Sequence, residues 1–483
     1  MRKKILLVEP PFYRLYNADF VLAGFPLALG YLAGWLRQRT DWDVAAANAD
    51  FAVLRRPFNL SHSYLAGEGF ANYRAALRDP DAPIWREVAD MLRREAPAVL
   101  GLSAKTQNFH AALRVARIAK ALDPDMRVVL GGPHPTMTGA TALSHPELDA
   151  LVHGEGEETL AALLGVWENE GDPARVAGIS FRDGERVRTT APRPLMADLD
   201  ALPFPHAVAP DVLLDYAAYP VSAFMNVFSA RGCPFHCLYC GSRAIWTRRP
   251  RYRSVANVVA EMRGLEALGV PRINFDDDTF GISKRRIREL CQAILAAGLR
   301  TPWSCELHVN LVDDATLELM RRAGCALVFL GVESGNDAIL RANRKHTTVA
   351  KALAACATVK RHDIQLYTFF MVGFPDETEA TMAETLAAMR RADPDYIIHS
   401  IFTPYPGTEA FARCREMGLV DDAFDASRYN HQSPENNFTQ AIPRERFRRL
   451  AGEIEAFVDA HNTAKAARRR QLREAGLGRQ ACA

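Results

Sequence analysis

No apolar run in this 483-residue chain approaches the ~18 residues that cross a bilayer. The apolar residues 5–8, behind Met1-Arg2-Lys3-Lys4, stop at Glu9-Pro10, too early for the core of a secretory signal. Charge of one sign is missing too. With 59 basic residues against 57 acidic ones, a strong polyelectrolyte partner has no foothold, and no nucleic acid is expected. Paired cysteines are also lacking: nine is an odd count, and Cys291, Cys305, Cys325, Cys356, Cys414 and Cys482 are scattered. That pattern disfavours a secreted disulfide framework, so a soluble protein of the reducing cytoplasm is expected. With 48% hydrophobic residues the chain can bury proper cores, and its length suits about two or three domains.

What the chain does contain is Arg231-Gly232-Cys233-Pro234-Phe235-His236-Cys237-Leu238-Tyr239-Cys240. Cysteines at i, i+4 and i+7, in a loop turning into a helix, can face one point. A zinc knuckle wants a fourth ligand and usually two close cysteine pairs, and there is no second pair. An iron–sulfur cluster fits better: cubanes normally take four cysteines, so three leave one iron open to another ligand. Three buried core cysteines are the plain alternative. The tight spacing, with Gly232 before it and Tyr239 inside it, argues against that.

Strand-like runs at 5–8, 43–47, 98–103, 128–136 and 148–152 alternate with helix-like segments at 25–36, 85–94 and 111–122. This predicts a doubly wound parallel sheet over 1–160, with ligand at the carboxyl ends of its strands. Gly131-Gly132 and Gly154-Glu155-Gly156 fall at those ends, where glycine lets a large ligand reach the backbone; ordinary tight turns would use glycine as well. Residues 52–84 read as an irregular aromatic insertion. Residues 161–220 read as a connector, with a hairpin turning at Asp183-Gly184 and a Pro-punctuated linker at 198–205.

Six further apolar runs (223–228, 272–275, 303–307, 326–330, 366–372 and 396–402) predict a partial (β/α)6 TIM-like barrel over 221–410. Asp276, Asp277 and Asp278 follow its second strand, Glu306 and His308 its third, Glu333-Ser334-Gly335 its fourth, and Gly373-Phe374-Pro375-Asp376-Glu377 its fifth. Each reads plainly as a helix cap or a turn. Acids at four successive strand ends nevertheless suit a cationic ligand on the reactive face of a barrel. Residues 411–483 form a helical extension, in which Phe447, Leu450, Ile454, Phe457, Val458 and His461 share a packing face. Arg468-Arg469-Arg470 and Arg473 read as a solvated helix end, and Cys482 as a bystander.

The cysteine motif resembles the signature of the radical S-adenosylmethionine enzymes. The resemblance implies a 4Fe-4S cluster on Cys233, Cys237 and Cys240, an open iron chelated by S-adenosylmethionine, and reductive cleavage to a 5′-deoxyadenosyl radical. It further implies cofactor contacts. Asp276, Asp277 and Asp278 would lie at the methionine ammonium, with Glu306 on the same face. Glu333 and Ser334 would meet the ribose and methionyl groups, Gly373 of Met371-Val372-Gly373 would lie near adenine, and Tyr239 would flank it. Residues 25–33, Gly131-Gly132-Pro133-His134-Pro135-Thr136 and Gly154-Glu155-Gly156-Glu157-Glu158-Thr159 resemble the cobalamin-binding domain of one large subclass. Corrinoid contacts are then implied at Thr106, Gly131, Gly132, His134, Gly154 and Glu155. No Asp-x-His-x-x-Gly is present, so no protein imidazole is expected below the cobalt.

The implied function is cobalamin-dependent methyl transfer to an unactivated carbon or phosphorus centre of a small molecule, with an electron donor such as flavodoxin or ferredoxin. The alternative is a radical cyclase, a rearrangement enzyme or a transferase of another S-adenosylmethionine fragment, such as the aminocarboxypropyl group, with the N-terminal domain not using cobalamin. A cobalamin- or metal-binding regulator without turnover is a third reading, which the acidic strand ends oppose. Methylthiolation of transfer RNA is disfavoured, because a second N-terminal cysteine set is absent. Nothing in the sequence names the substrate or a catalytic residue outside the cofactor framework.

Overall fold

A computed structural model of the protein describes residues 3–53, 64–421 and 423–474. Cys482 and most of the 52–63 stretch lie outside the described residues.

The N-terminal sheet holds β1 (Lys4–Glu9), β2 (Asp43–Asn48), β3 (Val99–Ser103), β4 (Arg127–Gly131), β5 (Ala150–Val152), β6 (Ile179–Asp183) and β7 (Arg186–Thr189), in the order β2-β1-β3-β4-β5-β6-β7. The first five strands are parallel. Their side chains alternate between two apolar layers, because successive residues of a strand point to opposite faces. Leu6 and Val8 pack with Trp85, Val88, Ala112 and Ala116, whereas Ile5 and Leu7 pack with Leu29, Ala33, Leu160 and Leu163. The hairpin expected at Asp183-Gly184 is present, with Gly184 at φ +61. It extends the sheet, since β6 pairs antiparallel with β5. The linker at 198–205 lies across helix Leu27–Arg39. A Cβ on Gly34 would sit 2.4 Å from Pro203 Cγ, so only glycine admits that approach.

The 52–84 stretch is less irregular than expected. Leu65–Arg78 is helical apart from a kink at Gly67, and Phe70 and Tyr73 are buried there against Tyr16. Aromatic burial, invisible as periodicity in so short a run, stabilises it.

The second sheet holds β8 (Asn226–Val227), β11 (Ile273–Phe275), β12 (Trp303–Leu307), β13 (Cys325–Glu333), β14 (Gln365–Val372) and β15 (Tyr396–Ile401), all parallel, in the order β8-β11-β12-β13-β14-β15. A short antiparallel pair, β9 (Ala230–Arg231) and β10 (Arg251–Tyr252), brackets the cysteine loop. Helix Arg444–Glu474 covers the edge of β15: Phe447, Ile454 and Val458 join the core, and the Asn462 amide bonds both Ile397 N (2.8 Å) and Ile397 O (2.9 Å). An exposed strand edge is thereby closed. No helix among the described residues is long and apolar enough to cross a membrane.

Candidate functional site

The cysteine loop is held at both ends. Arg231 is buried, with its guanidinium 4.9 Å over the Phe228 ring and 5.3 Å over Trp246. It donates to Glu157 and, at 2.6 Å, to Glu155. The Glu155 carboxylate also accepts from Arg251 (2.9 and 2.9 Å) and from Met196 N (2.6 Å). Burial opposes its charge, yet Arg251 and Arg231 hold its carboxyl below the ordinary range. Glu155 therefore anchors the cysteine loop, and the expectation that it touches a corrinoid is corrected: its oxygens are already taken.

Within the loop, Cys233 and Cys237 are half-buried, Cys240 is exposed, and all three thiols are free. Desolvation pushes each thiol up, that of Cys240 to about 12. Among the described residues, no three Cys, His, Asp or Glu side chains form a single-ion site. Thiolates on a cubane bind three different irons and stand further apart than the ligands of one ion. Three free cysteines on one open loop suit that donor set, and metal binding would displace their protons. Leu238 N donates to Asn343 O (3.1 Å) and Ala410 N to Leu238 O (3.0 Å), fastening the loop to the barrel. Phe235 stacks on His308 at 3.6 Å between centroids. The Tyr239 hydroxyl is buried beside the Cys237 thiol, and its ring lies 5.8 Å from Phe374.

The acids at the strand ends divide. Asp276, Asp278 and Glu306 are open to the cleft. Desolvation raises Glu306 to about 7, and Asp276, Asp278 and Glu333 add to the shift. Asp277 faces the other way: it is buried and accepts from the backbone and hydroxyl of Ser229 and from Ala230 N (3.2 Å). It joins β11 to the start of the cysteine loop, so its expected ammonium contact is corrected. Ser334 is corrected likewise. It is fully buried, 3.3 Å from Thr385 Oγ1, and it accepts from Asn336 N at 3.2 Å. Glu333 keeps its place at the end of β13, with φ +68 and its carboxylate 2.8 Å from Lys345 Nζ. Gly373 has φ +92, and its N–H donates to Glu377, which also accepts from Phe374 N at 3.1 Å. Lys345 and Glu377 complete this face. The sequence placed Glu377 among the strand-end acids without giving it a role, and Lys345, in Asn343-Arg344-Lys345-His346, carries no local signal.

The carboxyl ends of the first sheet face this cleft. Lys105, just past β3, lies close enough to Asp276 to pull its carboxyl down against a burial that raises it to about 6. Thr106 and His134 are buried together: Thr106 Oγ1 is 3.1 Å from His134 Nδ1, and the imidazole stacks 4.0 Å from Phe109. Burial lowers His134 to about 4, so the ring is neutral and tied into the wall. Gly132 serves the fold, since a Cβ there would meet Ala104 O at 2.9 Å. Gly131 and Gly154 are open: a Cβ on Gly131 would meet only Val152, at 3.9 Å, and one on Gly154 nothing within 4 Å. That bare strip of backbone fits the approach of a large flat ligand.

Two family models match the chain: the B12 binding domain over residues 13–164 and the Radical SAM superfamily over residues 227–416. An uncharacterized methyltransferase of Pyrococcus horikoshii is 31% identical over 408 residues, spanning 84% of this chain and 82% of that protein. The anaerobic magnesium-protoporphyrin IX monomethyl ester cyclase of Cereibacter sphaeroides is 30% identical over 390 residues, spanning 77% of this chain and 62% of that protein. Among solved structures, the radical S-adenosylmethionine methyltransferase TsrM of Kitasatospora setae, with cobalamin and a 4Fe-4S cluster bound, shares the fold. Its TM-score is 0.66 at 16% identity, over 86% of this chain and 78% of that one.

Proposed function

The chain belongs to the radical SAM superfamily, in its B12-binding-domain branch, and on that premise we propose that it transfers a methyl group to an unactivated carbon or phosphorus centre of a small molecule. One observation carries this reading. The open glycine strip of the first sheet and the acidic strand ends of the second face one cleft, where Lys105 lies near enough to Asp276 to act on its carboxyl. Methyl transfer to an unactivated centre needs a methyl donor and a hydrogen-abstracting radical that both reach one substrate. When bound, the cluster with S-adenosylmethionine supplies hydrogen abstraction and the corrinoid supplies the methyl group. Matched length agrees: the methyltransferase relative is covered over 82% of its length and the cyclase over 62%.

In this proposal Cys233, Cys237 and Cys240 hold the cluster, and Glu333, Asp276, Asp278 and Glu306 meet the cationic end of S-adenosylmethionine. Tyr239 and Gly373 flank its adenine, and Gly131 and Gly154 admit the corrin with no imidazole beneath the cobalt. The reductant is an acidic one-electron carrier such as flavodoxin or ferredoxin. Support comes from the basic residues around the loop: Arg243, Arg248 and Arg344 lie near His236, and the single carboxylate of Glu409 is shared by two of them. A reducing cytoplasm suits the free cysteines.

The test is anaerobic reconstitution with iron, sulfide and hydroxocobalamin. About four irons and about one base-off corrinoid per chain are expected, without histidine hyperfine structure. Replacing the three loop cysteines by Ala should remove the iron and leave the corrinoid. Protein that fills with cluster and cleaves S-adenosylmethionine but takes up no corrinoid in excess would overturn methyl transfer.

A further inference from the structure

We propose that the Tyr405 hydroxyl, set by His431 of the C-terminal extension and faced by Tyr13 of the first sheet, recognises an anionic oxygen, carboxylate or phosphoryl, on the molecule that accepts the methyl group. The inference rests on the methyl-transfer reading above and names a substrate class for it. Tyr13 lies just past β1, which ends at Glu9, and Tyr405 just past β15, which ends at Ile401. Both therefore stand where the two sheets turn their carboxyl ends to one cleft. The two hydroxyls are close enough to act on each other. Tyr16 and Tyr73, which pack on the same Phe12 ring as Tyr13, are 0% and 1% exposed. Tyr13 and Tyr405 are only half-buried, so these two reach the cleft.

The extension uses buried amides to fix His431. Asn430 is fully buried and donates to the Tyr16 hydroxyl at 3.0 Å. Its side-chain oxygen accepts from Gln432 N (2.9 Å), and its carbonyl accepts from the Asn436 amide (2.7 Å), which also donates to Thr403 Oγ1 (2.8 Å). Buried hydrogen bonds of this kind hold a segment in one conformation. The His431 ring stacks on Phe12 of the first sheet at 6.4 Å between centroids. Its backbone N and its Nδ1 both lie 3.2 Å from the Tyr405 oxygen. A phenol oxygen accepts hydrogen bonds while its own O–H donates. With the ring hydrogen on Nδ1, His431 donates twice to Tyr405, and the Tyr405 hydrogen is turned to a ligand.

Charge on this wall favours an anion. Lys105 is near enough to Tyr13 to draw its hydroxyl down, and of its three ammonium donors Glu9 takes one, at 3.4 Å. Other acids on this side are engaged. Asp50 accepts from Phe12 N (2.8 Å), Arg14 N (3.0 Å) and Tyr13 N (3.2 Å), and Asp425 meets His110 at 3.2 Å. Asp276, which Lys105 also reaches, is assigned above to the cationic end of S-adenosylmethionine. Two phenols and an ammonium then lie along one wall, and hydrogen bonds to a charged oxygen are the stronger kind. A tyrosine that only locked the extension in place would be buried as Tyr16 is.

The experiment is a calorimetric titration of methylphosphonate, and separately of acetate, the tighter of the two telling phosphoryl from carboxylate. The protein is loaded with cluster, S-adenosylmethionine and methylcobalamin, so that neither iron nor cobalt takes the anion. Tyr405→Phe should weaken anion binding by about tenfold, the worth of one hydrogen bond to a charged group, and leave S-adenosylmethionine affinity unchanged. His431→Ala should do the same, and His431→Asn, whose amide can stand where Nδ1 stands, should restore binding. Dimethyl sulfone, a neutral oxygen probe, should bind about tenfold more weakly than the anions. A loaded Tyr405→Phe that binds both anions as the parent does overturns the inference. So does a loaded parent that binds neither anion, or that binds the sulfone equally well. If Tyr405→Phe fails to load, Tyr13→Phe decides, and unchanged anion affinity there overturns the idea equally. Parent protein that takes up no corrinoid overturns the methyl-transfer reading, and this inference with it.

Discussion

Replacing Glu155 by Ala should loosen the cysteine loop and spare corrinoid binding. The carboxylate accepts four hydrogen bonds: from Arg231 (2.6 Å), twice from Arg251 (2.9 and 2.9 Å) and from Met196 N (2.6 Å). The side chains of Arg231, Glu155 and Arg251 are only 9%, 6% and 17% exposed, so solvent cannot replace what is lost. Removing one partner of a buried ion pair costs ~3–5 kcal/mol. Arg231 keeps Glu157 and Arg251 keeps Met196 O, which places the loss at the lower end, about 3 kcal/mol. With a urea slope of about 3 kcal/mol/M for a chain of this size, the midpoint of the cofactor-free protein should fall by about 1 M. Iron uptake should fall with it, because Arg231 begins the loop. Glu155→Gln, which keeps an acceptor but loses the charge, should fall between. An unchanged midpoint together with lost corrinoid binding would refute the reasoning and restore Glu155 as a cofactor contact.

Glu377 offers a pH test. Burial pushes its carboxyl up to about 7, whereas in the unfolded chain it titrates near ~4.3. The folded state therefore holds the proton more tightly, and the stability so gained is lost as pH rises from about 4 to about 7. The stability advantage of the parent over Glu377→Gln should shrink across that range; a flat difference by urea denaturation would count against the burial argument. Gly407 tests the junction between the two sheets. It has φ +87, and a Cβ there would lie 2.4 Å from Met137 O. Gly407→Ala adds left-handed strain of ~1–2 kcal/mol to a backbone clash, so protease cleavage near the junction should quicken. Equal cleavage rates would mean that the contact is not needed.

Where only neighbouring residues matter, the sequence was legible. The spacing of Cys233, Cys237 and Cys240, the turn at Asp183-Gly184 and the alternation of strand and helix all depend on short-range geometry, and the structure reproduces the last two. The sequence reading groups the three aspartates, although period-two alternation would set Asp277 apart from Asp276 and Asp278. The acids at the strand ends were readable as a set, because a parallel barrel puts those ends on one face.

The individual roles were set by partners far away in the chain. Glu155 sits in a glycine-rich stretch that reads as ligand-binding, yet Arg231 and Arg251 lie 76 and 96 residues onward. Ser334 adjoins Glu333, but helix Glu379–Ala392 buries its hydroxyl. Lys345 reads as a solvated lysine until Gly331, Glu333 and the cysteine loop close around it. Hydrophobic period and turn chemistry act over a few residues, so the sequence by itself determined the strands, the helices and the three thiols. Which polar group is buried against which, and so which carboxylate is free to meet a ligand, depends on desolvation by segments distant in the chain, and only the tertiary structure decided it.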